Sequence, residues 1–244
     1  MERTKKSRKK KNFNKKTIGR AALMVLWVGV ACFASQFIIG YPMLWILGKA
    51  TYQTPVWTTI YGALVYILAA FLVIVVPKFV KKEWKTNRDE LGLTELPTFT
   101  DIGLSFLGFI ATILISGAVL YILQKLNLVD SSQAQNVGYS NLTLPFDRIV
   151  AFLALAVIAP VAEEVIFRGW LYGKLRKKYS IAVAAIPVSI LFGVLHGQWN
   201  VGITVGIMSA VMCIERELTG TIYAGMLTHM IKNGVAFWIL YVLM

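Results

Sequence analysis

The sequence predicts an all-α fold, a polytopic transmembrane bundle of about seven to eight helical spans with its N-terminus in the cytoplasm. Three observations predict it. The chain of 244 residues is 57% hydrophobic and only 15% charged, whereas soluble domains run to about 45–50% apolar and about 25% charged residues. Apolar runs of about 20 residues, the length that crosses a bilayer as a helix, recur along it. Basic residues alternate between loops as a multi-pass topology requires.

Residues 1–17 form a basic arm. Residues 1–20 hold ten Lys/Arg against one acid, Glu2, and so carry most of the net charge of +13. Such an arm can bind nucleic acid. Directly before a span it is better read as touching anionic headgroups and fixing the N-terminus inside, and no nucleic-acid partner is expected. It is too long and too basic for an ordinary signal peptide, so the first apolar run reads as retained.

Residues 18–145 then read as N-terminal transmembrane helices, with spans at 18–47, 57–77 and 101–124, and residues 146–244 as a core with spans at 148–172, 181–198, 201–214 and 221–243. The first span is expected to be interrupted at Gly40-Tyr41-Pro42. Loops 78–100 and 173–180 are basic and read as cytoplasmic, the former holding a short interfacial element near Leu91-Gly92-Leu93. Loop 125–147 is polar and reads as external and flexible, and Glu215–Gly220 as a weakly acidic inner loop. Gly193/Gly197 and Gly202/Gly206 fit close helix packing. Pro160 and Pro187 are expected to kink their helices, and Trp170, Trp199 and Trp238 to anchor at the interface. Cys32 and Cys213 are not expected to pair. The localisation expected is the cell membrane, multi-pass.

Polar residues intrude on the later spans. Glu163, Glu164 and Arg168 lie in one, His196 in another, and His229 with Asn233 in the last. A charge at the bilayer centre costs at least about 2.5–3.5 kcal/mol, so intramembrane ionisable groups point to function. At about 1.5 Å of rise per residue, Glu163 is about 16 Å from Lys174, and His229 about 12 Å from Thr221, which places the intruders at similar depth on three helices. Glu164 and Arg168, at i and i+4, can pair, while Glu163 points about 100° away and is free to face a cavity. His229 and Asn233 share a face, as do Phe192 and His196. A buried carboxylate suits a general base, and imidazole and amide N–H groups suit an oxyanion. No Ser or Cys stands beside a base, which disfavours an acyl-enzyme. Lys232 lines the cavity or snorkels and takes no assigned role.

The spacings Glu163-Glu164-Val165-Ile166-Phe167-Arg168, Phe192-Gly193-Val194-Leu195-His196 and His229-Met230-Ile231-Lys232-Asn233 resemble the EExxxR, FxxxH and HxxxN motifs of the CPBP (Abi, CAAX-protease-like) intramembrane endopeptidases. The likeness covers about residues 145–240. It implies hydrolysis of a peptide or membrane-associated protein, with Glu163 activating water, His196 helping to hold it, His229 and Asn233 stabilising the oxyanion, and Glu164 with Arg168 orienting the helix. Relatives trim prenylated CaaX proteins or serve peptide maturation and self-immunity, and the sequence does not choose among these. The resemblance implies a metalloendopeptidase, since the family is named as metalloproteases, and Glu163, His196 and His229 would supply zinc with a His₂Glu set and a water position; yet there is no HExxH, and Glu/His activation without a metal is physically possible, so zinc stays open. Two other functions remain in view, a non-catalytic immunity or scaffolding protein and an ion-coupled transporter, the latter lacking paired broken helices in two halves.

Overall fold

The computed structural model describes residues 15–131, 133, 139 and 142–243. The basic arm through Asn14 and most of the polar stretch from 132 to 141 lie outside them. Among the described residues the chain is helical throughout: α1 (Lys15–Tyr52), α2 (Pro55–Val80), the short α3 (Arg88–Leu91), α4 (Phe99–Lys125), α5 (Pro145–Arg176), α6 (Ile181–Val194), α7 (Trp199–Thr219) and α8 (Tyr223–Leu243). Five of these, α1, α2, α4, α5 and α8, are long and apolar enough to cross a membrane. This is a multi-pass membrane protein. α6 is too short to cross alone, and α7 ends in charged residues.

α5 is the centre. α1, α2, α6, α7 and α8 all pack on it, and Ile166 through Tyr172 are buried on every side. Wide, π-type turns interrupt α2 at Phe71–Val75 and α5 at Ala154–Ile158, and in each a proline follows two residues later, Pro77 and Pro160. A proline cannot donate to the carbonyl four residues back and its ring crowds that carbonyl, so a widened turn relieves both problems. The expected kink at Pro160 is thus a wide turn. Pro187 sits in α6 without breaking it.

The structure corrects several expectations. α1 runs through Gly40 and Pro42 without interruption and leaves helical geometry only at Gly48 (φ +71°). His196 is not on a helix: α6 stops at Val194, and His196 lies in the turn to α7, where Gly197 takes φ +69°. The glycine pairing is therefore Gly193 against Gly202, where a Cβ on Gly193 would stand 2.5 Å from the Gly202 carbonyl oxygen. Trp170 is not an interface anchor. It is fully buried, edge-on to Trp84 at 5.7 Å, whereas Trp199 and Trp238 are exposed.

The stretch Glu215–Thr219 is the last turn of α7, not a loop, and its charges point inward. Glu215 accepts from Thr228 Oγ1 at 2.7 Å, Arg216 donates to the carbonyls of Gly169 and Glu90, and Glu217 takes a two-pronged contact from Arg176 at 2.8 and 2.9 Å. The short α3 docks here as well, closed by Gly92 (φ +76°), whose carbonyl accepts from Ile222 N. Loop 125–147 is tied down where it is described. Gln133 O accepts from Asn200, Tyr139 bonds Thr59 and Tyr241, and Leu142 is buried.

Candidate active site

α5 and α8 bring the carboxylates and His229 together. Glu163 and Glu164 end the short α-helical stretch Ala159–Glu164 between two wide-turned stretches of α5. Adjacent helical positions diverge, so Glu163 faces a cavity and Glu164 faces the protein. Glu164 is fully buried. Its Oε1 contacts His229 Nδ1 at 3.0 Å, and its Oε2 lies 3.2 Å from Arg168 Nε. That second contact is a charge pair without hydrogen-bond alignment, because Glu164 Oε2 and Arg168 Nε both lack a hydrogen-bond partner. The Arg168 guanidinium also stacks over the Phe192 ring, 4.5 Å from its centre. Phe192 in turn touches the rings of His196 (4.9 Å) and His229 (5.8 Å) edge-on. One aromatic side chain thereby fixes three site residues.

Glu163 accepts a hydrogen bond from Tyr66 Oη at 2.6 Å through Oε1. Its Oε2 lies 3.6 Å from His229 Nε2, too far for a direct hydrogen bond. Two cavities meet at this carboxylate. One, about 280 Å³, opens between α1, α2, α5 and α6, and the other, about 150 Å³, lies between α5 and α8. Only Tyr66, Glu163 and His196 line both. A larger apolar groove of about 560 Å³ between α6 and α7 holds none of the site's polar groups.

The backbone fixes the remaining two motif residues. His196 Nδ1 is 2.8 Å from the Phe192 carbonyl. A carbonyl only accepts, so Nδ1 carries the proton and Nε2 of the neutral ring is left as an acceptor toward the cavities. Asn233 donates through Nδ2 to Leu155 O at 2.9 Å, on the wide turn of α5. An amide has two N–H groups, so one remains for a ligand.

All six sequence-predicted residues thus belong to one cluster, with divided parts. Glu163, His196, His229 and Asn233 line the smaller cavity, while Glu164 and Arg168 line neither cavity and stand behind His229. The partner of Glu164 is His229 as well as Arg168. Tyr66 was missed because nothing in its span marks one tyrosine above another, although a hydroxyl in a membrane interior demands a partner.

Glu163, His196 and His229 also bear on zinc. Among the described residues no three His, Cys, Asp or Glu side chains group closely enough to hold one ion. The three candidate ligands nevertheless line one cavity, the smaller of the two.

Residues 145–235 match the family model described as type II CAAX prenyl endopeptidase Rce1-like. No curated protein and no solved structure matches the chain. The matched stretch runs from the start of α5 to two residues past Asn233 and contains every motif residue that the geometry gathers. Over residues 145–235 the chain is thus similar to the CAAX-protease-like endopeptidases, in agreement with the motif resemblance.

Proposed function

We propose that the protein is an intramembrane endopeptidase that cleaves a peptide or membrane-associated protein by direct attack of water. The observation that carries this reading is the Glu163 carboxylate on the shared wall of two cavities, held by Tyr66 at 2.6 Å and flanked by a His229 that Glu164 anchors.

A water between Glu163 and His196 donates one hydrogen bond to His196 Nε2 and gives its other proton to the Glu163 carboxylate. Its oxygen bonds to the scissile carbonyl carbon, and the carbonyl electrons move onto oxygen. In this step His229 Nε2 acts as a hydrogen-bond donor to that oxyanion, beside the spare N–H of Asn233. Each such donor is worth about 10²–10³ in rate. The proton on Glu163 passes to the leaving nitrogen, the C–N bond breaks, and a carboxylic acid and an amine result. Glu164 accepts from His229 Nδ1, which sets the ring's orientation, and Arg168 compensates the charge on Glu164. On its composition, the basic arm 1–17 holds the chain against anionic headgroups.

The test is Glu163→Gln against wild type, reconstituted in vesicles, with the peptide fragments of co-reconstituted membrane proteins and peptides read by mass spectrometry. The expected loss is about 10²–10⁴, the range of a general base. Fragments that persist at wild-type levels with normal expression overturn catalysis. Wild type is run with and without a chelator alongside metal analysis. A stoichiometric ion whose removal abolishes cleavage overturns the metal-free step and leaves Glu163 as its ligand.

A further inference from the structure

Among the described residues, Lys232 has neither a hydrogen bond nor an ion pair, yet it lines the smaller catalytic cavity with Glu163, His196, His229 and Asn233. It is partly buried on α8, one residue before Asn233 and one turn after His229. Other inward-pointing lysines and arginines have partners: Arg168 has Glu164, Lys174 has Glu90, Arg176 has Glu217, and Arg216 has the carbonyls of Gly169 and Glu90. The ammonium shares this cavity with Glu163 and His196, but Glu163 already accepts from Tyr66 and faces His229. The rest of the wall is Leu155, Ala159, Ala236, Phe237 and Leu240, with Tyr66 and Tyr241, whose hydroxyls are committed to Glu163 and to the Tyr139 carbonyl. An unmatched charge in such surroundings is costly, and costly intramembrane charges are kept where a ligand or partner compensates them.

We propose that Lys232 is a substrate-binding residue that takes a carboxylate of the substrate in the smaller cavity, on the opposite side of Glu163 from the larger one. This rests on the endopeptidase reading above. The cavity of about 150 Å³ has room for a short polar end of a chain, whereas the cavity of about 280 Å³, lined by Val65, Ile166 and Phe167, suits an apolar side chain on the other side of the scissile bond. With substrate bound across Glu163, the ammonium on α8 and the carboxylate fix which bond meets the water. The carboxylate has two sources: the α-carboxylate of a chain end, or an Asp or Glu side chain.

The test uses the full-length protein in vesicles and a peptide found to be cleaved by wild type. The peptide is offered in three forms: with a free C-terminus, with an amidated C-terminus, and amidated with one Glu placed after the scissile bond. Wild type is expected to prefer a carboxylate-bearing form by about tenfold or more in kcat/KM, the worth of one hydrogen bond to a charged group. The preference should lie mainly in KM. Lys232→Met should collapse that preference, and Lys232→Arg should restore part of it. A preference for the free C-terminus assigns the α-carboxylate, and one for the Glu-bearing amide assigns a side chain. Equal cleavage of all three by wild type, or a preference that survives Lys232→Met, overturns the proposal. Glu163→Gln run in parallel separates the two readings, because cleavage that survives it removes the endopeptidase mechanism whatever Lys232 does. A fluorescence melt of Lys232→Met in detergent verifies folding, and Lys232→Arg carries the test if that variant fails it.

Discussion

Helices α4 and α5 read alike as sequence, both long and strongly apolar, yet they occupy opposite environments. On α4 the large residues face outward, with Phe106, Leu107, Ile110 and Leu114 all more than half exposed. What α4 buries is small or polar: Asp101, Ser105, Gly108, Thr112 and Ser116, a stripe at helical spacing. α5 from Ile166 to Tyr172 buries everything, arginine included. Lipid is as apolar as leucine, so apolar side chains gain little by turning inward, and hydrophobicity does not sort inside from outside. Close packing and polar satisfaction do the sorting. A polar residue in a span therefore marks the protein-facing side, and a helix with polar residues all round its buried length marks the centre.

The contrast breaks first at Arg168. Arg168→Leu would leave Glu164 buried without its compensating charge, and loss of one member of a buried pair costs about 3–5 kcal/mol. Leu114→Ala on the lipid face of α4 should change stability far less, because lipid replaces the lost contacts. Reversible unfolding in mixed micelles measures both. Because Glu164 also holds His229, the double variant Glu164→Gln/Arg168→Leu should recover stability and still fail in cleavage. If the double variant is no more stable than Arg168→Leu, the deficit belongs to packing over Phe192 and not to charge.

A smaller effect sharpens the two faces of α4 itself. A Cβ on Gly108 would stand 2.0 Å from Glu215 Oε1 and 3.0 Å from Thr228 Oγ1, whereas one on Gly103 or Gly117 would meet nothing within 4 Å. Glu215 is buried and tied to Thr228, so it cannot simply swing away. Gly108→Ala should cost about 1–3 kcal/mol, as overpacking does. Gly103→Ala and Gly117→Ala should be neutral or stabilising by up to about 1 kcal/mol, since alanine is the better helix former. Equal melting midpoints for all three would show that α4 does not press on α7 and α8 at Gly108.

The same physics explains what was readable beforehand. The five long apolar helices were legible because apolar run length is fixed by bilayer thickness, whereas the runs at 181–198 and 201–214 read as spans too and are not among them. The motif residues were legible because charge in a span is costly, and their spacing placed them on shared faces. The partner of Glu164 was only half legible, since i, i+4 geometry reveals Arg168 but a contact to His229 on α8 has no sequence signature. His196 was placed on a helix because its run stays apolar through Leu195, and the positive φ at Gly197 that ends it is a backbone property. The inward turn of Glu215, Arg216 and Glu217 was hidden because a charged stretch after a span looks the same whether it meets water or the short α3.

The smallest effect sets the dry pair against a wet one. Glu90 on α3 pairs with Lys174 at 2.8 Å and Lys177 at 2.5 Å, outside the spanning segments. Partial burial pushes its carboxyl up, but the hydrogen bonds and charges of the two lysines outweigh this and hold it at about 2, below the ordinary 4.5. A lowered carboxyl contributes stability that is whole above the unfolded value and disappears as pH falls through the folded one. Wild type should therefore exceed Glu90→Gln by a gap that is constant above about pH 4.5 and closes toward pH 2. Solvent screening at this half-exposed position keeps the gap below about 1 kcal/mol, and added salt should shrink it, which it should not do for Arg168→Leu. Melting midpoints of the two proteins across that pH range measure it. The absence of any gap would mean that α3 is held through the Glu90 backbone carbonyl, which accepts from Arg216 in both proteins, and that the lysines add nothing.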